Sequence, residues 1–63
     1  MFKYALIGYS DSSIVAFEII EAEVDKDAAA RALVFSEDRE DLRMEEVIVW
    51  DLNLDSRVCT VLL

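Results

Sequence analysis

Residues 25–33 read DKDAAARAL, and this alanine-rich run has the clearest helix-forming composition in the chain. Asp25 is a natural N-cap because its carboxylate can accept hydrogen bonds from the free amides of the first turn. We therefore predict one helix that begins at Asp25 and lies close on a sheet through its small side chains. At 3.6-residue spacing, its apolar face consists of Ala29, Ala32, Leu33 and Ser36, flanked by Ala28 and Phe35.

Pairs of apolar runs rich in β-branched and aromatic residues lie on both sides of this helix. Before it, residues 2–9 (FKYALIGY) and 14–24 (IVAFEIIEAEV) are separated by a polar turn at 11–13. After it, residues 47–52 (VIVWDL) and 57–63 (RVCTVLL) are separated by a turn at 53–56. The order β-β-α-β-β predicts an α+β fold, a mainly antiparallel four-stranded sheet with one helix packed on one face.

The segment between the helix and the third strand, residues 37–46 (EDREDLRMEE), is mostly charged. No proline or glycine marks a break, so this segment either extends the helix or forms a solvated loop. Leu42 and Met44 are its only apolar anchors.

Apolar side chains occupy both sides of the predicted strands, whereas a half-buried strand should alternate apolar and polar residues. One helix covers only one face of a four-stranded sheet, so the other face is left apolar, and such a patch usually marks an interface. We therefore expect a homo-oligomer, most simply a dimer; the alternative is a strongly twisted sheet that folds over itself. In the second strand, Val15, Phe17 and Ile19 point one way, and Ile14, Ala16 and Ile20 point the other.

The length of 63 residues indicates a single small domain, residues 1–63. For so short a chain, the free energy from burying apolar surface roughly equals the cost of ordering the residues, which also favours an added partner. The single cysteine excludes a disulfide framework, and no apolar run is long enough to span a bilayer. With no basic leader at its start, the chain is expected to be cytoplasmic, without a membrane partner.

Charge is the strongest compositional signal, since 14 acidic residues against 6 basic ones give a net charge of −8. Such a field repels nucleic-acid phosphates, so direct nucleic-acid binding is not expected. It favours a basic protein surface as partner, through electrostatic steering and complementarity. The alternative is that the charge only keeps a small apolar protein in solution.

The residue types that carry most catalysis and metal binding are missing or isolated. The chain has no histidine, and its one glycine, Gly8, rules out a phosphate-cradling loop. Cys59 lies within an apolar strand, where a buried inert thiol is expected. Residues 51–56 match the D-x-N-x-D start of an EF-hand loop, but the sixth position is a serine and the flanks are strands, so we interpret them as a hairpin turn. We predict no enzyme activity, no cofactor and no metal site.

Carboxylates displayed along a rigid surface can imitate the charge repeat of a nucleic-acid backbone and so occupy the basic groove of a nucleic-acid-binding enzyme. Neighbouring apolar and aromatic groups would supply hot-spot contacts. The predicted acidic binding residues are Glu37, Asp38, Glu40, Asp41, Glu45 and Glu46, and the predicted apolar or aromatic ones are Tyr9, Met44 and Trp50.

In size, acidity and lack of catalytic groups, the chain is similar to small inhibitors made by phages and mobile elements, such as anti-CRISPR and anti-restriction proteins. The likeness covers overall character and no specific residues. It implies a non-catalytic inhibitor that binds a nucleic-acid-binding enzyme. The alternative function is a structural homo-oligomerisation module that uses the apolar sheet face.

Overall fold

A computed structural model describes all 63 residues. The strands are β1 (Phe2–Ser10), β2 (Ser13–Ala22), β3 (Glu46–Asp51) and β4 (Ser56–Leu62). The helix α1 (Asp25–Glu37) follows β2, and a short 3₁₀ helix, η1 (Glu40–Leu42), precedes β3. The predicted α+β order and the single helix are confirmed, with each strand boundary within two residues of its prediction.

The four strands form one antiparallel sheet in the order β2-β1-β3-β4. The two hairpins pair through β1 and β3, which become the central strands. Asp11 and Ser12 connect the first hairpin with positive φ angles of 51° and 65°, the left-handed pair that a two-residue turn needs to match strand twist. Register shifts leave Val15 and Val58 without partners, so each edge strand carries one irregularity.

The core lies between α1 and one face of the sheet. Ala28, Ala32 and Phe35 are the buried residues of the helix, with a spacing of four and then three. The predicted helix face is therefore rotated, because Leu33 is exposed. The helix carries apolar side chains at nearly every angle around its own axis, so their pattern alone does not determine its inward side. In the structure, the side with the large ring of Phe35 packs inward. The buried sheet residues opposite are Tyr4, Leu6, Ile20, Ala22, Val47 and Val49.

The start of α1 differs from the predicted cap. Val24 occupies the N-cap position without a side-chain hydrogen bond, and Asp25 is the first helical residue. The Asp25 carboxylate instead accepts a hydrogen bond of 2.7 Å from the buried Tyr4 hydroxyl. This hydrogen bond, together with burial and nearby carboxylates, raises the pKa of Tyr4 to about 12. The buried Tyr4 hydroxyl thus has a hydrogen-bond partner, and the Asp25 carboxylate does not cap the helix.

The charged segment after the helix is neither a continued helix nor a simple loop. Glu37 ends α1, η1 follows, and Arg43 then takes a left-handed conformation with φ of 50°. This bend turns Met44 back towards the sheet, where its side chain lies over Gly8 and beside Phe35. A Cβ at position 8 would collide with the Met44 sulfur, so the Met44 side chain would have to shift if residue 8 were not glycine.

Candidate interaction surfaces

The sheet face opposite the helix is apolar and uncovered, and we call it the open face. The strand register places Ile7 beside Phe17 on one side and beside Ile48 on the other. One row along, Ala5 lies between Ile19 and Trp50. The open face is defined by five side chains from three adjacent strands: Ile7, Phe17, Ile19, Ile48 and Trp50.

Exposure differs across this face in a regular way. Phe17 and Ile19, on the edge strand β2, keep 59% and 54% of their surface exposed, whereas Ile7, Ile48 and Trp50 on the central strands are half-buried by their neighbours. Together these residues form a contiguous apolar surface, which is uncommon on a protein that functions alone. The Trp50 indole donates a hydrogen bond of 3.3 Å to Asp55, so its polar edge is satisfied.

Charge is distributed unequally between the two sides of the sheet. By strand register, Lys3 and Glu21 lie side by side at one end of the open face, Arg57 lies beside Trp50, and Glu46 lies at the other end. Asp55, which accepts the hydrogen bond of the Trp50 indole, also lies at this face, so two basic residues stand against three acidic ones. The other eleven acidic and four basic residues therefore carry −7 of the net charge of −8.

The structure divides the six predicted acidic binding residues between two places. Glu37, Asp38, Glu40 and Asp41 are exposed around the end of α1 and in η1, and we call this group the acidic end. The Glu45 carboxylate accepts a hydrogen bond of 2.6 Å from the backbone amide of Asp11 at the hairpin turn. Glu46 begins β3 and is half-buried on the open face.

Arg39 interrupts the acidic end in sequence but is held by other contacts. Its guanidinium donates to Glu18 at 3.1 Å, in the one salt bridge of the protein, and to the Phe35 carbonyl at 3.2 Å. It also lies 4.2 Å from the centre of the Phe35 ring. The carboxylates around it therefore have no cationic partner within the chain.

The three predicted apolar or aromatic residues lie in different surroundings. Tyr9 and Met44 line a cavity of about 550 Å³ between the ends of β1 and β4, together with Glu45 and Glu46. Met44 also reaches the core at Gly8, while Trp50 belongs to the open face. By register with Glu46, Tyr9 lies on the same side of the sheet as Trp50 but towards the opposite end of the strands, whereas Met44 lies on the helix side.

The remaining polar groups of interest have structural partners. Asp51 is buried and its carboxylate accepts hydrogen bonds from the backbone amides of Asn53 and Leu54, at 2.8 and 3.2 Å. This Asx turn accounts for the D-x-N spacing of the β3–β4 hairpin. Cys59 is a free, half-buried thiol that pairs in register with Val49 and packs against the core.

The sequence pattern indicates the apolar face but does not by itself assign its residues to a binding site. Ile7, Phe17, Ile19 and Ile48 are absent from the predicted site, although the two-sided apolar pattern of the strands is the signal for them. No protein-family model matches the chain, and neither a curated protein nor a solved structure matches it. No helix of the structure is both long and apolar enough to cross a membrane.

Proposed function

We propose that this chain is a non-catalytic, cytoplasmic protein-binding module whose principal binding surface is the open face. The observation that supports this proposal is the exposure of Phe17 and Ile19 beside Ile7, Ile48 and Trp50 on a face that the helix does not cover. Burying such side chains against another protein is favourable by about 25 cal/mol for each Å² of apolar surface removed from water. Aromatic groups such as Trp50 are the usual energetic centres of interfaces.

Site-specific photo-crosslinking in the native cells tests this function. A photoreactive amino acid at Ile19 reports on the open face, and the same residue at Val34, which is 51% exposed on the outer side of α1, is the matched control. We expect discrete crosslinked species from position 19 and only background from position 34. Equal yields from both positions would contradict the proposal.

We propose a second function for the acidic end, the binding of a basic surface on a nucleic-acid-binding enzyme. The observation that favours it is the group of four exposed carboxylates within residues 37–41, whose nearest cation in sequence, Arg39, is already paired with Glu18. In this role the chain acts as an inhibitor that imitates a nucleic-acid backbone, in the manner of phage and mobile-element proteins directed against CRISPR or restriction nucleases.

Inhibition assays with restriction and RNA-guided nucleases test this second function. We expect inhibition that weakens as salt rises, because the contacts are between exposed charges. The variant Glu37→Gln/Asp38→Asn/Asp41→Asn should lose most of the inhibition. The control variant Asp11→Asn/Glu23→Gln/Asp27→Asn removes the same number of exposed carboxylates elsewhere and should retain it. An equal loss of inhibition in both variants would mean that net charge alone, and not the acidic end, causes the inhibition.

A further inference from the structure

We infer that the occupant of the open face is a second copy of this chain, packed face to face through a two-fold axis. This inference rests on the proposed function of the open face and names its partner. Two observations support it: the distribution of charge and the fit between neighbouring rows of side chains.

The charge distribution favours the open face for self-association. Two molecules that each carry −8 repel each other, and most surfaces would bring like charges into contact. The open face carries a net charge of only −1, with Lys3 and Arg57 against Glu21, Glu46 and Asp55, and α1 with its acidic side chains lies on the other side of the sheet. In a face-to-face pair, the two helix layers lie on the outer sides of two sheets that are themselves about 10 Å apart. The distance between the helix layers therefore exceeds the Debye length of about 8 Å at physiological salt. Salt therefore screens much of the repulsion between helix layers in a face-to-face pair.

A two-fold axis in the interface plane, perpendicular to the strands, reverses strand direction in the second copy and lets each strand lie over its own counterpart. Such an interface is self-complementary, as a two-fold contact must be.

The same axis places large side chains over smaller ones. Rows of the sheet exchange places, so Ile7 of one copy lies over Ala5 of the other, and Trp50 lies over Ile48. Phe17 lies over Ile19 at the edge. Packed sheets interdigitate side chains in this way.

The size of the face sets the expected strength. Four strands about 4.8 Å apart, each contributing about seven residues of 3.4 Å, give about 450 Å² in the plane of the sheet. Stable complexes bury about 800 Å² for each partner, so this face is smaller than the interfaces of stable complexes and is of the size found in weak, transient ones. We therefore expect a reversible dimer that dissociates on dilution, and that persists at high salt because its contacts are apolar.

Light scattering coupled to gel filtration tests the inference on the full chain, over a range of concentrations at low and high salt. The test variant is Ile19→Lys, and the control is Val34→Lys, which changes a residue of similar exposure by the same charge. We expect a dimer for the wild type and Val34→Lys, and at least a tenfold higher dissociation constant for Ile19→Lys. Circular dichroism confirms that each variant is folded.

Two results would overturn the second copy as occupant. A dimer that Ile19→Lys leaves intact must form through another surface. A wild-type monomer at every concentration also excludes self-association, and the dye ANS then separates the two proposals. If the monomer binds ANS and Ile19→Lys abolishes that binding, the open face remains available for a different protein. If neither protein binds ANS, the proposed function of the open face fails as well.

Discussion

The two faces of this sheet are made from the same strands and similar residue types, yet only one is covered. On the helix side, Leu6 and Val49 are almost completely buried beneath α1, while on the open side their sequence neighbours Ile7 and Ile48 are half-buried and Phe17 is exposed. A covered face stabilises the single chain, whereas an apolar uncovered face contributes its full stabilisation only when another molecule packs on it. Neighbouring apolar residues of one strand can therefore have different roles, because one packs in the core and the next lies on the face that is open to another molecule.

The largest effect is expected from two adjacent residues of β1. Leu6→Ala should lower the free energy of unfolding by about 2–5 kcal/mol, because it leaves a cavity in the core. Ile7→Ala should cost clearly less in dilute protein, since its side chain is already partly in water. Urea denaturation of both variants at low concentration measures the difference. Equal losses would mean that the open face is as well packed as the core.

Gly8→Ala tests the close packing of the helix side. The added methyl group meets the Met44 sulfur, and overpacking of this kind costs about 1–3 kcal/mol. In a Met44→Ala background the same substitution should be tolerated, because the collision is removed. A double-mutant cycle from denaturation curves gives the coupling between the two positions. Additive losses would show that Met44 does not occupy the space above Gly8.

The hydrogen bond between Tyr4 and Asp25 predicts a pH dependence that belongs to the helix side. The pKa of Tyr4 is raised to about 12 from 10.0, so the folded state holds the phenol proton more tightly than the unfolded state. The resulting stabilisation is complete below pH 10 and is lost as pH rises from 10 to 12. Tyr4→Phe should therefore show a shallower loss of stability over that range. Parallel pH profiles for variant and wild type would exclude the contribution.

The smallest effect is expected at the rim of the helix side, where Arg39 contacts Glu18. Partly exposed ion pairs contribute about 0.2–1 kcal/mol, and salt weakens them. A double-mutant cycle with Arg39→Met and Glu18→Gln should give a coupling within this range at low salt and a smaller one at high salt. A coupling that salt does not change would indicate that packing on Phe35, rather than charge, holds Arg39.

Much of the fold is predictable from the sequence because its signals are local. Strand and helix order follow from β-branched runs and from the alanines of 28–32, and the apolar residues on both sides of the strands indicate an uncovered face. The actual role of Asp25 and the inward side of α1 are not predictable in this way. Both depend on distant groups: the Tyr4 hydroxyl donates to the Asp25 carboxylate, and Phe35 packs among core residues of the sheet strands.

The sequence by itself determined the element order, the acidity and the presence of apolar residues on both sides of the strands, because composition and period-two alternation are properties of neighbouring residues. Only the tertiary structure decided the strand order β2-β1-β3-β4, the placement of Met44 and Trp50 on opposite sides of the sheet, and the low net charge of the open face. Those features depend on which strands pair and in which register, and pairing joins residues that are far apart in the chain.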